Sequence, residues 1–391
     1  MRTQVGIIGA GPSGLLLSQL LYLAGIESVV LERQTQEHVL GRIRAGVLEQ
    51  GMVNLLREAK ASERMDRIGI VHDGFNLAFS DRLLRIDMHG LTGGKGVMVY
   101  GQTKVTEDLV QALEEHDAVL KYECPAVAVE DFASESPRII YEENGTRKEL
   151  ECDFVAGCDG YHGVSRQSAG DQVQTFERVY EFGWLGILSD VPPVNEELIY
   201  SNHERGFALC SMRSHTRSRY YIQCEADESV DNWTDDAFWD ELCRRLPPEA
   251  AANVTRGPRL EMSVTPLRSF VAEPLRFGKL FLAGDAGHIV PPTGAKGLNL
   301  AASDVHYLSQ ALIAFYAEKR SDLLDRYSET ALRRVWNAIR FSWSFTEMMH
   351  DFKNPVSRRL QLAELNYLSI SEAARTTMAE NYVGLPFESF A

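Results

Sequence analysis

Residues 211–221, SMRSHTRSRYY, hold Arg213, Arg217 and Arg219 with no acid among them and end in Tyr220–Tyr221. The chain around them carries a formal net charge of −15. A guanidinium offers paired N–H donors that match a carboxylate, and a phenol can add a third. If 204–224 fold as a strand pair turning near His215–Thr216, side chains alternate across the sheet. Ser211 and Arg213 then share a face, as do Arg219 and Tyr221. If the two pairs fall on the same side, hydroxyl, guanidinium and phenol meet around a site for a small organic acid. The other reading is a basic surface strand. Nucleic acid fits poorly, because no second basic cluster continues the stripe and the balance is acidic. An anionic membrane surface is disfavoured for the same reason.

A second chemistry-bearing segment opens the chain. QVGIIGAGPSGLLLSQLLYLAGIESVVLERQ reads as strand, tight turn, helix, strand. Gly9, Gly11 and Gly14 form GxGxxG, and Pro12 suits the first turn of a helix, where its missing N–H costs little. The glycines allow the turn, the approach of a pyrophosphate and close helix–strand packing. The helix N-terminus offers free N–H groups to phosphates. Glu32, 18 residues after Gly14, stands where an acid binds ribose hydroxyls. The pattern predicts a bound dinucleotide, the alternative being a glycine-rich structural turn. Arg42 and Arg44 could neutralise the pyrophosphate, or be solvated surface arginines.

Two later segments point to a flavin. CDFVAGCDGYHGVSRQ (152–167) has an apolar strand running into Asp159–Gly160, followed by His162 and Arg166. GKLFLAGDAGHIVPPTGAKGLNLAASD (278–304) has a buried strand ending at Gly284–Asp285, where Asp285 could bind a ribityl hydroxyl. Pro291–Pro292 predicts extended backbone with carbonyls facing a ligand. Gly294–Gly297 then leads into a helix at Leu298, whose N-terminus favours negative charge such as a reduced flavin ring.

These segments need a scaffold. The 391 residues allow two or three domains with ample core. With 45% hydrophobic and 24% charged residues the chain reads as soluble and globular. No internal repeat suggests a solenoid. The six cysteines form no CxxC pair and are sparse for a disulfide scaffold, which predicts a reduced, cytoplasmic setting. The apolar start is interrupted by Ser18 and Gln19 and is too short to span a bilayer, so the glycine turn explains it better than a signal peptide. No metal is expected.

GxGxxG early, CDG in the middle and GDA late resemble the signature set of the single-component flavoprotein aromatic hydroxylases. LGRIRAGVLEQG, VYGQT, AGCDGYHG, EFGWLG, RGFALCSMRSHTRSRYY, HIVPPTGAKGLNLAASD and AENYVGLP carry the resemblance from one end of the chain to the other. It implies tightly but non-covalently bound FAD, with NADPH as co-substrate. It implies an α/β fold with a Rossmann-like FAD domain at 1–175, completed by 268–297. A β-sheet substrate domain follows at 176–267, and 298–391 form a helical region at a homodimer interface. The implied reaction is hydroxylation of 4-hydroxybenzoate to 3,4-dihydroxybenzoate with O2, through a flavin C4a-hydroperoxide and a substrate phenolate. Another benzoate, or a flavin-binding protein without activity, are the alternatives.

The resemblance also implies residue roles. Ser211, Arg213 and Tyr221 hold the substrate carboxylate. Tyr200 accepts the substrate hydroxyl's hydrogen bond, Tyr382 lies next, and His72 links the pair to solvent. The Pro292 carbonyl contacts that hydroxyl, with Thr293 beside it. Gly9, Gly11, Ser13, Gly14, Glu32, Arg42, Arg44, Val47, Gln102, Asp159, Asp285, Gly297 and Leu298 bind FAD, with Arg219 and Asn299 near its ring. No second GxGxxG exists for the reductant, so NADPH lies in a surface groove at Arg33, Gln34, Arg42, His162, Arg166 and Arg268. Two positions depart from the family. His38 stands where tyrosine is frequent, in the segment that selects NADPH over NADH, and Gly287 stands where alanine is usual. Arg33 can still pair with a 2′-phosphate, so NADPH is the expected reductant.

Overall fold

The computed structural model describes residues 1–41, 46–116 and 118–388. Arg2–Ile8 lies at the centre of an eight-stranded sheet, parallel to Ser28–Leu31 on one side and Thr146–Gly157 on the other. Val119–Lys121 extends it in parallel beyond Ser28–Leu31. The chain returns late to add Leu280–Leu282, parallel to Thr146–Gly157. These strands are short apolar runs because helices cover the sheet. Pro12–Leu23 and Gly297–Glu318 pack against each other over it, with Leu15, Leu17, Leu21, Val305, Leu308 and Leu312 in one core.

A second eight-stranded sheet runs in the order His288–Ile289, Arg259–Glu273, Gln174–Ser189, Arg217–Glu225, Ala208–Ser214, Ile199–Ser201, Gly74–Phe79, Arg82–Asp87. It is therefore not confined to 176–267. The hairpin at 74–87 joins through the parallel pairing of Gly74–Phe79 with Ile199–Ser201. A small third sheet of Val47–Leu48, Val97–Val99 and Ile70–His72 carries His72.

The C-terminal region is helical: Gly297–Glu318, Asp322–Met349, Pro355–Ile370 and Glu372–Val383. The long helix Asp322–Met349 ties the sheets together. Its Leu323 and Tyr327 join the first core, and its Phe341, Phe345 and Met348 join the core of the second sheet. No helix among the described residues is long and apolar enough to cross a membrane. All six cysteines are free.

His350, just past that helix, is sealed inside the second core. The Trp184 indole N–H donates to its Nε2 at 2.7 Å, so the proton sits on Nδ1, 3.0 Å from the Thr346 carbonyl. Its ring stacks on Phe207 at 4.3 Å and Phe182 at 4.8 Å. Burial drives its pKa down to about 3. The unfolded chain therefore binds a proton here that the folded one refuses, so stability is full above about pH 6.5 and falls with pH toward 3. The cost is about 1.4 kcal/mol per pH unit in that window. Melting curves between pH 7 and 5 are expected to show a falling midpoint, with a shallower slope in His350→Gln. An unchanged slope in that variant would assign the acid sensitivity to other groups.

Candidate active site

The glycine turn comes first, because the first strand delivers it. A Cβ on Gly9 would fall 2.4 Å from the Cys158 carbonyl, and one on Gly14 would fall 2.0 Å from the Gly9 carbonyl. Only glycine permits that strand–helix approach. Gly11 meets nothing within 4 Å. It opens onto a cleft lined by Glu32, Gln102, Asp159, Asp285 and Leu298. Helix Pro12–Leu23 starts there without a side-chain cap, leaving its N–H groups for an anion.

The acids around this cleft are placed by strand ends. Glu32 accepts the Ala10 N–H at 2.8 Å and the Gln34 N–H at 2.9 Å, which fixes the turn as well as facing the cleft. Asp159 Oδ2 accepts the Ser165 N–H and hydroxyl, both at 2.9 Å. Its Oδ1 is buried with no partner among the described residues, and burial raises its pKa. A hydroxyl donor would satisfy that oxygen. Gly284, at φ +62°, brings the Asp285 turn against Ser13, whose Oγ lies 2.6 Å from where a Cβ would stand. Asp304 anchors the same turn from behind, accepting from Gly284 N–H at 2.8 Å and pairing with His288 at 2.6 Å. Sequence reading missed this buried pair. An uncapped helix start beside several carboxylates, one of them unsatisfied, fits the pyrophosphate and hydroxyl-bearing chains of FAD. Arg42 and Arg44 lie outside the described residues.

The Pro291–Pro292 expectation needs correction. Pro291 is extended, but Pro292–Gly294 forms a 3₁₀ turn. The Ala295 N–H donates to the Pro292 carbonyl at 3.0 Å. Proline's fixed φ suits that turn as well as an extended strand. One lone pair of the carbonyl is thus taken and one remains for a ligand. Thr293 is fully enclosed, its hydroxyl 2.8 Å from that of Thr346. Thr346 donates to the Ser342 carbonyl, so Thr293 donates to Thr346 and keeps only acceptor capacity.

The next helix begins at Gly297, one residue before the expected start, and is also uncapped by a side chain. Asn299 gives both its amide N–H groups and one oxygen lone pair to neighbours. It donates to the Val47 carbonyl at 3.0 Å and the Ala295 carbonyl at 2.8 Å, and accepts the Glu49 N–H at 2.9 Å. This clamps Val47 to the helix start. Lys296, Glu49 and Arg334 were not anticipated. Lys296 Nζ is buried 2.5 Å from Glu49, donates to the Tyr382 carbonyl at 3.1 Å, and Arg334 reaches the other Glu49 oxygen at 3.0 Å. Two cations thus share one carboxylate beside Tyr382.

The arginine stretch folds as a hairpin, Ala208–Ser214 and Arg217–Glu225, turning at His215–Thr216. Ser211 lies opposite Arg219, and Leu209 opposite Tyr221, so Ser211, Arg219 and Tyr221 share one face. Arg213 is the extra residue of a bulge between Met212 and Ser214, a device that re-aims a side chain. Its Nε is buried without a partner among the described residues. Burial lowers its pKa, while Tyr221 supports its charge. Arg219 is buried, paired with Glu261 at 3.0 Å and lying over the Tyr221 ring at 5.1 Å. Arg217 is exposed and paired with Asp190 at 2.6 Å.

One cross-strand row joins both ends of the site: Tyr200 opposite Leu209, Leu209 opposite Tyr221, Tyr221 opposite Gly186. The Tyr200 and Tyr382 hydroxyls share a 2.7 Å hydrogen bond across 182 residues. Trp184 bridges the row, its ring 5.0 Å from both Tyr221 and Phe207. A methyl on Gly186 would lie 2.7 Å from the Tyr221 ring and 3.1 Å from Arg219 Nη2. Gly186→Ala is expected to weaken aromatic-acid binding about tenfold through overpacking while FAD stays bound. A fluorescence titration checks this, and unchanged affinity would show that the wall yields.

The remaining residues divide between surface clefts and packed positions. Arg33 and His162 are exposed and line one cleft that adjoins the glycine turn. His38 is also exposed, near Arg33 in the neighbouring cleft. Gln34 closes the edge, its N–H held by Glu32. Arg166 and Arg268 lie over the Tyr161 ring at 4.9 and 5.0 Å, next to His162. Arg166 is committed to the Ala286 and Tyr161 carbonyls, and Arg268 lies 3.3 Å from Glu177. His72 is buried, and neither ring nitrogen has a partner among the described residues.

Residues 2–342 match the family described as FAD binding domain. The chain is 55% identical to the p-hydroxybenzoate hydroxylase of Acinetobacter baylyi over 391 residues, covering 99% of this chain and 96% of that one. Among solved structures, p-nitrophenol 4-monooxygenase PnpA from Pseudomonas putida superposes with a TM-score of 0.84 at 17% identity, over 98% of this chain and 99% of that one. Aklavinone-11 hydroxylase, solved with FAD and aklavinone, gives a TM-score of 0.75 at 19% identity over 89% and 69%. These last two share the fold. The cleft, the strand-end acids and these matches lead to one conclusion: the chain belongs to the FAD-binding family of flavoprotein aromatic hydroxylases.

Proposed function

We propose that this flavoprotein hydroxylates 4-hydroxybenzoate beside its hydroxyl group, giving 3,4-dihydroxybenzoate at the expense of NADPH and O2. The row from Tyr221 to Tyr200 supports the reading, because the tyrosine beside Arg213 and the tyrosine bonded to Tyr382 share one face of one sheet. FAD, which the glycine turn, Glu32, Asp159 and Asp285 would hold, would supply the redox chemistry that spends NADPH and O2 on hydroxylating the ring and forming water.

The protein's part is to hold the ring and move one proton. Arg213 takes the carboxylate through charge-assisted bonds, with Ser211 and Tyr221 beside it. At the other end Tyr200 accepts the substrate's phenolic proton while passing its own to Tyr382. Burial raises the pKa of both tyrosines, Tyr200 also through Tyr382, so both stay neutral at pH 7. The charge thus rests on the substrate, where it enriches the ring. Lys296 behind Tyr382 adds positive potential. Burial lowers the His72 pKa, which keeps its ring neutral and able to take the proton outward.

Arg33, exposed beside the cleft, supports NADPH over NADH through the 2′-phosphate. Equal kcat/KM with the two nucleotides would overturn that preference. The six free cysteines support a cytoplasmic setting. The reaction is tested by following NADPH oxidation with and without 4-hydroxybenzoate while quantifying 3,4-dihydroxybenzoate. Stimulation with near-stoichiometric product is expected. Stimulation that yields peroxide and little product would make this benzoate an effector of an enzyme for another one.

A further inference from the structure

Tyr382 sits in the last turn of helix Glu372–Val383. The final carbonyls of a helix have no partner within it, so a last turn frays unless something outside holds it. Among the described residues, Gly384 N–H makes no backbone hydrogen bond that would close this end. The holds come from elsewhere. Lys296 Nζ takes the Tyr382 carbonyl at 3.1 Å, and Arg340 donates to the Asn381 side chain at 2.8 Å. The chain then leaves the helix through Gly384, at φ +87°, where a Cβ would collide with the Glu49 carboxylate.

Arg334 gathers the residues that follow. It donates through Nη1 to the Leu385 carbonyl at 2.7 Å and the Pro386 carbonyl at 3.2 Å, and through Nη2 to Glu49 at 3.0 Å. Its guanidinium lies over the Phe387 ring at 4.8 Å. That ring rests on Gly51, where a Cβ would fall 2.7 Å from it, and stands 4.8 Å from the His306 ring. Arg333 ends the segment by gripping both oxygens of Glu388 at 3.0 Å. Leu385 and Pro386 are themselves exposed, so apolar burial does little to hold them. A planar guanidinium can take a carboxylate and two carbonyls at once, because its five N–H groups point in fixed directions.

We propose that Arg334 is a positioning residue of the hydroxylation: it latches segment 384–388 onto Glu49, and so keeps the end of the preceding helix, with the Tyr382 hydroxyl, in place against Tyr200. The inference rests on the proton path assigned above. The other charged or titratable groups around the latch are Lys296, Glu49, Arg333, Glu388, His306 and Tyr307. Arg333 neutralises Glu388, and Glu49 lies between Lys296 and Arg334. Burial lowers the His306 pKa and raises that of Tyr307, so both are neutral at pH 7.

Variants of the FAD-loaded protein test it. In Arg334→Met, product formed per NADPH at pH 7 is expected to fall about tenfold, while substrate binding and FAD content survive. The yield should recover toward pH 9, where more of the substrate ionises unaided. Backbone amides of 381–388 should exchange with deuterium about tenfold faster, and those of Pro12–Leu23 as before. Arg334→Lys keeps the charge but replaces the fork by a single point, so it should not restore the yield. Phe387→Ala leaves every charge in place and should show the same defect in weaker form. Full yield in Arg334→Lys would make Arg334 a source of charge and overturn the latch. Unchanged yield or unchanged exchange in Arg334→Met, or a normal Phe387→Ala, would overturn it as well. Tyr382→Phe separates the latch from the path it serves. Wild-type yield in that variant removes the path, whereas a low yield there beside a normal Arg334→Met removes the latch alone.

Discussion

Arg213→Ala is expected to raise the Kd for 4-hydroxybenzoate by two to four orders of magnitude and to leave FAD binding intact. The three arginines of the stretch have different surroundings. Arg217 is exposed and neutralised by Asp190, and Arg219 is buried against Glu261. Arg213 has no carboxylate within salt-bridge distance among the described residues; it donates to the Met212 carbonyl at 3.2 Å. Its Nε is enclosed without a partner, and burial already works against its charge. A half-buried cation whose Nε is enclosed without a partner is suited to receive an anion. Two charge-assisted hydrogen bonds to a carboxylate contribute about 3–6 kcal/mol, and about 1.4 kcal/mol is tenfold in affinity. Fluorescence titration of the holoprotein measures the loss. Phenol, lacking the carboxylate, should bind wild type and variant alike, and Arg217→Ala should change nothing. If Arg213→Ala bound 4-hydroxybenzoate as tightly as wild type, the carboxylate would have to sit elsewhere.

The distinction among those arginines could not be read from their spacing. Alternation within a strand paired Arg219 with Tyr221, because a period of two residues is local, whereas the register across the turn is what sets Ser211 on their face. The bulge at Arg213 interrupts the alternation within the hairpin itself, and the ion pairs of Arg217 and Arg219 are made to Asp190 and Glu261, outside the hairpin. The same division holds for the cofactor cleft. Gly9, Gly11, Gly14 and Glu32 sit in one strand–turn–helix–strand unit, whose geometry follows from nearby residues. Asp159 and Asp285 were legible as acids at the ends of apolar strands. His288 and Asp304 lay within a quoted segment, yet nothing in their types reveals that they pair behind the turn. The hairpin at 74–87 joins the second sheet through Ile199–Ser201, a pairing no periodicity encodes. Pro292 misled because proline fixes φ and leaves ψ open to either an extended run or a 3₁₀ turn. Lys296, Glu49 and Arg334 come from three separate segments, and only the fold makes them a buried group.

Tyr200 and Tyr382 are the extreme case, since resemblance alone connected them and the fold sets their hydroxyls 2.7 Å apart. Tyr200→Phe should therefore strike at chemistry and spare architecture. Tyr200 packs among Phe75, Phe207 and Phe345, at ring distances of 5.8, 6.2 and 4.9 Å, and a phenyl ring fills the same space. The lost hydrogen bond costs stability of about 1 kcal/mol. Substrate binding and FAD content should survive. What disappears is the acceptor for the substrate's proton, and proton transfer by a positioned side chain contributes about 10²–10⁴-fold. Product formed per NADPH should fall at least tenfold, with peroxide making up the difference. The deficit should depend on pH in a defined direction. Without the relay the phenol must ionise by itself, with a pKa of about 10, so its anionic fraction rises about tenfold per pH unit below that value. The yield of Tyr200→Phe should climb from pH 7 to 9 while that of the wild type stays nearly level. Tyr382→Phe should behave similarly, because Tyr200 would then have no hydroxyl to receive its own proton. A Tyr200→Phe enzyme with wild-type yield at pH 7 would remove Tyr200 from the proton path. A low yield that ignored pH would mean that Tyr200 positions the ring and does not receive its proton.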